Sequence, residues 1–100
     1  MSEQAILPGS IVEASEDHIS SAIAGEVVIL NLRNNVYHGL NSIGGQIWNL
    51  LQQSTTVSEI RSHILNKYEV EPDRCERDLL ALLQELAAAG LIEVRNEPTA

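Results

Sequence analysis

Residues 26–40 read EVVILNLRNNVYHGL and carry the strongest β-strand signal in the chain. Five of the seven residues from Glu26 to Leu32 are strand-forming apolar residues, and Gly25 precedes them. The Asn34-Asn35 pair tolerates positive backbone φ, which favours a tight turn. Val36 to Leu40 then returns as a second strand. The stretch therefore predicts an antiparallel hairpin, with Val36 to Gly39 as a candidate edge strand.

Weaker strand signals precede the hairpin. Ser10 to Ala14 contains Ile11 and Val12, and His18 to Ala24 is a short apolar and small-residue run. We expect these to extend the hairpin into a two- to three-stranded antiparallel meander. Near residue 41 the spacing of the apolar residues changes from strand-like to helical.

Three helices are predicted after the meander. Asn41 is suited to cap the first, and Thr56-Val57-Ser58-Glu59 has the T-x-x-E form of a capping box that begins the second. Glu71-Pro72-Asp73 marks the start of the third, with Pro in the first turn. Gly90 is a natural stop. Leu91 to Val94 then forms either a short terminal strand or a segment that packs against the core.

These elements predict an α+β fold that is winged helix-turn-helix-like, with an N-terminal three-stranded antiparallel sheet followed by three helices. We expect a flexible N-terminus over 1–9, one domain over 10–94 and a flexible tail over 95–100. Gly44 and Gly45 fall in the first turn of the first helix, where glycine is unfavourable. We expect close packing against the sheet to explain them.

The composition excludes several classes of function. One hundred residues with a net charge of −8 make one acidic domain, which is poorly suited to bind polyphosphate or an anionic membrane. The single cysteine, Cys75, excludes an internal disulfide and a thiolate metal cluster. The three histidines share no metal-ligand spacing, so we expect no metal and no cofactor. Without a signal or membrane segment we expect a cytoplasmic protein.

The third helix has an unusually wide apolar face. Leu79, Leu83 and Leu86 fall in one stripe, which is the predicted core face. Leu82 lies on one flank of this stripe together with Cys75 and Asp78, and Leu80 lies on the other. This width is typical either of a wide buried face in a small domain or of the floor of a groove with an acidic rim.

From Asn35 to Val94 the chain resembles the PqqD-like family of recognition elements for ribosomally made, modified peptides. No single motif is specific, but their order and spacing together are. The matching segments are Val36-Tyr37-His38-Gly39-Leu40-Asn41, Ile43-Gly44-Gly45-Gln46-Ile47-Trp48, Thr56-Val57-Ser58-Glu59-Ile60, Tyr68, Asp78-Leu79-x-x-Leu82-Leu83-x-x-Leu86 and Gly90-Leu91-Ile92. Its length, its acidity and its lack of fused domains look most like the discrete leader-binding proteins of lasso-peptide biosynthesis.

The resemblance implies that the chain is not an enzyme. It implies that a precursor's leader peptide adds as a strand in a groove between the third strand and the third helix. The leader is expected to offer an aromatic residue and a proline, then a leucine, before delivery to a leader protease and a lasso cyclase. The residues implied to bind the peptide are Val36, Tyr37, His38, Arg74, Cys75, Asp78, Leu79 and Leu82.

Other functions remain open at this point. The same resemblance allows a peptide chaperone of quinone-cofactor biosynthesis. A winged-helix DNA-binding regulator is a weaker alternative, because the exposed face of the third helix carries Asp73 and Glu85 beside Arg77. A carrier protein with Ser42 as its attachment site is weaker still, since the β-rich first forty residues do not fit a four-helix carrier.

Overall fold

The computed structural model describes residues 5–96, which form six strands and three helices. In chain order these are β1 (Ile11–Ala14), β2 (His18–Ile23), β3 (Glu26–Asn31), β4 (Val36–Leu40), α1 (Ser42–Leu50), β5 (Thr55–Thr56), α2 (Val57–Lys67), α3 (Pro72–Ala88) and β6 (Ile92–Arg95). The predicted α+β class is confirmed. The winged helix-turn-helix description fits loosely, since short strands follow both α1 and α3.

The predicted N-terminal meander is present as an antiparallel sheet in the order β2-β3-β4. In the hairpin between β3 and β4, Asn31 pairs with Val36, so the connection has four residues rather than a two-residue turn at Asn34-Asn35. Asn35 takes a φ of 59°, and the Asn34 side chain accepts a hydrogen bond from the Val36 N–H. The asparagines therefore shape the turn as expected, although the strand ends one residue earlier than predicted.

A second antiparallel sheet has the order β5-β1-β6. It places β1, which was only weakly predicted, between two strands that follow it by forty residues or more in sequence. The open alternative for Leu91 to Val94 resolves as a strand, β6, which continues to Arg95. The predicted flexible ends, 1–9 and 95–100, lie partly outside the described residues.

The helix boundaries follow the predicted signals. Asn41 caps α1 by accepting from the Gly44 N–H, and Thr56 caps α2 by accepting from the Glu59 N–H. The capping box is only half formed, because the Glu59 carboxylate accepts from the Thr55 hydroxyl instead of the Thr56 backbone. Pro72 occupies the first turn of α3, and Gly90 follows that helix with a φ of +75°.

One hydrophobic core joins both sheets and all three helices. The predicted stripe of Leu79, Leu83 and Leu86 is buried in it, as is Trp48 of α1. The helix α3 packs against α2 and β6, whereas α1 packs against β3 and β4. One side of the domain is therefore built on α1 and the β2-β3-β4 sheet, and the other side is built on α3.

The glycines of α1 confirm the expected close packing. A Cβ atom built on Gly45 would lie 2.9 Å from Cγ2 of Val27 in β3, which is too close for any real side chain. A Cβ on Gly44 would lie 3.2 Å from Cβ of Leu40 in β4. The low helix propensity of glycine is offset because α1 can then rest directly on the sheet.

Polar links hold the meander against the end of α3. Asn31 is buried, its amide group donates to the Ala89 carbonyl at 2.7 Å, and its side-chain oxygen accepts from the Arg33 N–H. The hydroxyl of buried Ser15 donates to the Gly90 carbonyl at 2.8 Å. These bonds satisfy carbonyl groups at the end of α3 that have no partner within the helix.

The packing of α1 can be tested with Gly45→Ala. An alanine in a helix normally stabilises it, but here the new methyl group must displace Val27, so we expect the free energy of unfolding to fall by about 1–3 kcal/mol. Gly44→Ala in the same turn is the matched control and should cost less. Urea denaturation measures both. A Gly45→Ala variant as stable as the wild type would contradict the close approach.

Candidate peptide-binding site

A groove of about 670 Å³ lies between the end of β4, the start of α1 and one flank of α3. We call it the α3 groove. It is lined by Gly39, Leu40, Asn41, Ile43, Gly44, Ile47, Ile64, Glu69, Val70, Glu71, Arg74, Cys75, Asp78, Leu79, Leu82 and Glu85. Its floor is mainly aliphatic and its charged side chains stand at the rim.

The five predicted residues of α3 all line this groove. Cys75 and Leu79 are buried and Leu82 is half-buried, so they form an apolar wall. Arg74 and Asp78 are exposed at the rim, where the Arg74 guanidinium and the Asp78 carboxylate lie 3.6 Å apart. The wide apolar face of α3 is therefore divided between two roles. The stripe of Leu79, Leu83 and Leu86 is buried in the core, and the flank that carries Leu82 borders the groove.

The three predicted residues of β4 lie on the adjacent strand and do not line the groove itself. Within the described sheet β4 pairs only with β3, so it is an edge strand as expected. His38 pairs with buried Ile29 and shares its side of the sheet, whereas Tyr37 points to the opposite side and is 68% exposed. Val36 shares the side of His38 but is also exposed.

This orientation answers a question that the sequence leaves open, namely which face of β4 points inward. The inward face carries Val36, His38 and Leu40, and the Nε2 atom of His38 is buried without a hydrogen-bond partner among residues 5–96. Gly39 and Leu40 lead from the edge of the strand directly into the groove.

The sequence interpretation missed the opposite wall and the rim of the groove. Ile43 and Ile47 of α1 line the wall opposite α3, and Glu69, Val70 and Glu71 line the groove from the linker between α2 and α3. The sequence marks Glu71 only as part of the start of the third helix. The signal that could have found them is Gly44, whose missing side chain lets β4 and α1 meet at a tight corner. No periodicity in the linker itself indicates that it faces α3.

Cys75 has the environment of a structural thiol. Burial raises its pKa, and the nearby Asp78 and Glu76 carboxylates act in the same direction, while Arg61 opposes them. A raised pKa reduces the thiolate fraction at neutral pH and therefore the nucleophilicity of the group. Cys75 is only 7% exposed, which agrees with a role as a small hydrophobic residue.

Two further properties concern the whole described part of the chain. Between residues 5 and 96, no three His, Cys, Asp or Glu residues cluster in a way that could hold a metal ion. Within the same range, no helix has the length and hydropathy needed to span a bilayer.

The outer face of the β2-β3-β4 sheet carries a second apolar surface. Ile19, Leu30 and Tyr37 pair across the three strands and form one row on this face. Ile19 is 59% exposed, and Ile23, on the same side of β2, is also exposed. We call this the outer sheet face, and it lies on the opposite side of the sheet from Leu40 and the core.

Comparisons with known proteins agree with this architecture. The family model for coenzyme PQQ synthesis protein D (PqqD) matches residues 26–92. The chain belongs to the PqqD family. The resemblance predicted from its motifs is thereby confirmed, and the match begins at β3 and includes all three helices.

Two solved structures of similar proteins contain bound peptides. TbiB1 in complex with the TbiA(beta) leader peptide is 35% identical, with a TM-score of 0.77, over 85% of this chain and 99% of that one. A lasso peptide synthetase B1 complexed with the leader peptide shares the fold at 23% identity, with a TM-score of 0.72, over 82% of this chain and 96% of that one. No curated protein sequence matches the chain.

Proposed function

We propose that this PqqD-family domain binds the leader segment of a ribosomally made precursor peptide in lasso-peptide biosynthesis. The observation that carries the proposal is an apolar groove that opens beside the free edge of β4. The 35% identity to TbiB1, a protein solved with a leader peptide, supports the choice of ligand class.

The free edge of β4 supplies the main-chain part of such binding. An edge strand presents backbone N–H and C=O groups at alternate residues that have no partner within the sheet. An extended peptide that lies antiparallel to β4 satisfies these groups and becomes a fourth strand of the meander. Val36, Tyr37 and His38 are the residues that would border it.

The α3 groove supplies the side-chain part. A peptide paired with β4 directs alternate side chains to one face of the sheet. Those near Gly39 and Leu40 would enter the space between Ile43 and Leu82. Burial of one aliphatic or aromatic side chain there contributes about 1.5–3 kcal/mol, enough to discriminate between leaders that have and lack it.

This function needs no catalysis by the domain. The thiol of Cys75, the one cysteine of the groove, is buried and its pKa is raised, so it is a poor nucleophile at neutral pH. The acidic surface opposes DNA binding, and the quinone-cofactor chaperone is the remaining alternative within the family. A role in precursor maturation implies a cytoplasmic location.

Leu82→Asp tests the groove assignment. Leu82 is half-buried on the groove wall, and a carboxylate there must lose its hydration when an apolar side chain arrives. We expect the affinity for the fluorescently labelled leader of the precursor encoded with this chain to fall more than tenfold, or about 1.4 kcal/mol. Fluorescence polarisation measures the affinity.

Leu80→Asp is the matched control, because Leu80 is equally half-buried on the opposite flank of α3. Circular dichroism should show both variants folded, with leader affinity lost only in Leu82→Asp. Equal affinity of the two variants would refute the groove assignment. Absence of saturable binding by the wild type up to about 100 μM would refute leader binding itself.

We further propose that the domain delivers the bound leader to a separate leader protease and a lasso cyclase. The outer sheet face supports a docking role. On it, the exposed side chains of Ile19 and Tyr37 lie on either side of half-buried Leu30. Exposed apolar rows of this kind are typical of protein interfaces. The added leader strand would extend the same sheet, so a docked enzyme could contact domain and leader together.

Ile19→Asp tests this surface. Ile19 lies on β2, which β3 and β4 separate from the leader, so we expect leader affinity to stay within twofold of the wild type. Leader cleavage by the pathway protease should slow several-fold, because the charge must be desolvated at the interface. Leu7→Asp is the control, since Leu7 is an exposed apolar residue outside the sheet. Equal cleavage rates for both variants would refute the docking surface.

A further inference from the structure

The charged side chains around the α3 groove are mostly acidic. Glu69, Glu71, Asp78 and Glu85 line it together with a single basic residue, Arg74. Asp78 already lies near the Arg74 guanidinium, 3.6 Å away. The three glutamates have no salt bridge or side-chain hydrogen bond to any residue between 5 and 96.

The glutamates stand at opposite ends of the groove. Glu71, Asp78 and Glu85 recur every seven residues and therefore fall on one side of α3. Glu71 is the residue just before α3, and Glu85 follows it by fourteen positions, which corresponds to a rise of about 21 Å along the helix. An extended peptide of six or seven residues covers this length at about 3.3 Å per residue.

The same flank of α3 is apolar on its inner side. Cys75, Leu79 and Leu82 face the floor of the groove, while the acids stand toward the solvent. The chemistry of the groove is thus apolar in the centre, with an Arg74–Asp78 pair at the middle of its rim and unpaired carboxylates at both ends. An occupant complementary to this arrangement has an apolar centre and basic ends.

We propose that the α3 groove selects extended peptide segments in which an apolar anchor is flanked on both sides by Lys or Arg, within about six or seven residues. Glu69 and Glu71 receive the basic side chain at one end, and Glu85 receives the other. This inference rests on the proposed function and adds to it the charge pattern of the ligand.

The expected gain per ion pair is modest, because all three glutamates are exposed. Pairs of this kind change affinity by about two- to fivefold each, and salt screens them. Their main effect is discrimination, since an acidic segment placed in the groove would meet like charges at both ends. The net charge of −8 also favours encounter with basic peptides from a distance.

Selection from a random twelve-residue peptide display library tests the proposal. Three proteins are compared: the wild type, the groove variant Glu69→Gln/Glu71→Gln/Glu85→Gln, and the control variant Glu16→Gln/Glu26→Gln/Glu93→Gln. The control removes the same three charges from exposed positions that do not line the groove. It therefore separates local pairing from the long-range effect of net charge.

We expect Lys and Arg to be enriched on both sides of an apolar residue in peptides selected by the wild type and by the control. The enrichment should be lost with the groove variant. A synthetic copy of the most enriched peptide should bind the groove variant about five- to tenfold more weakly than the control at low salt, and this difference should shrink at high salt.

Two other results overturn the proposal while leaving peptide binding intact. One is a wild-type selection without basic enrichment, and the other is equal enrichment with the groove and control variants. Failure of the proposed function looks different: either no peptide is retained by the wild type, or the selected peptides bind Leu82→Asp as well as the wild type. In either of those cases the proposed charge preference is refuted together with the proposed binding site.

Discussion

The buried amide of Asn31 is the constraint on which the arrangement of this domain depends. It joins the end of β3, where the hairpin to β4 begins, to the Ala89 carbonyl at the end of α3. A buried amide left without its partner costs about 1–3 kcal/mol, so sheet and helix are held in one relative position. That position sets the distance between the two walls of the α3 groove.

The groove is also a consequence of how the apolar residues are divided among the helices. The core stripe of α3, with Leu83 at its centre, packs against α2 and β6, while α1 packs against β3 and β4. The Leu82 flank is therefore left beside the β4 edge without a covering element among the described residues. An extended peptide is the kind of ligand that fills this space, because it can pair with β4 and place side chains against Leu82.

Local chemistry made much of the fold and part of the site predictable. Short motifs encode the hairpin, the caps at Asn41 and Thr56, and the core stripe of α3, because each depends on residues only a few positions apart in the sequence. The placement of β1 between β5 and β6 depends on pairing across more than forty residues, and no local pattern encodes it. The groove wall on α3 was predictable from helical angles, whereas the position of Glu69 at the rim depends on how the linker between α2 and α3 packs.

Amide hydrogen exchange followed residue by residue, with and without saturating leader peptide, tests the central claim most directly. In the free domain, the β4 amides that are not bonded to β3 should exchange rapidly. Strand addition predicts that the peptide slows them at least about tenfold, while amides at the free edge of β2 keep their rates. Unchanged exchange along β4 in the saturated complex, or protection confined to β2, would contradict the account.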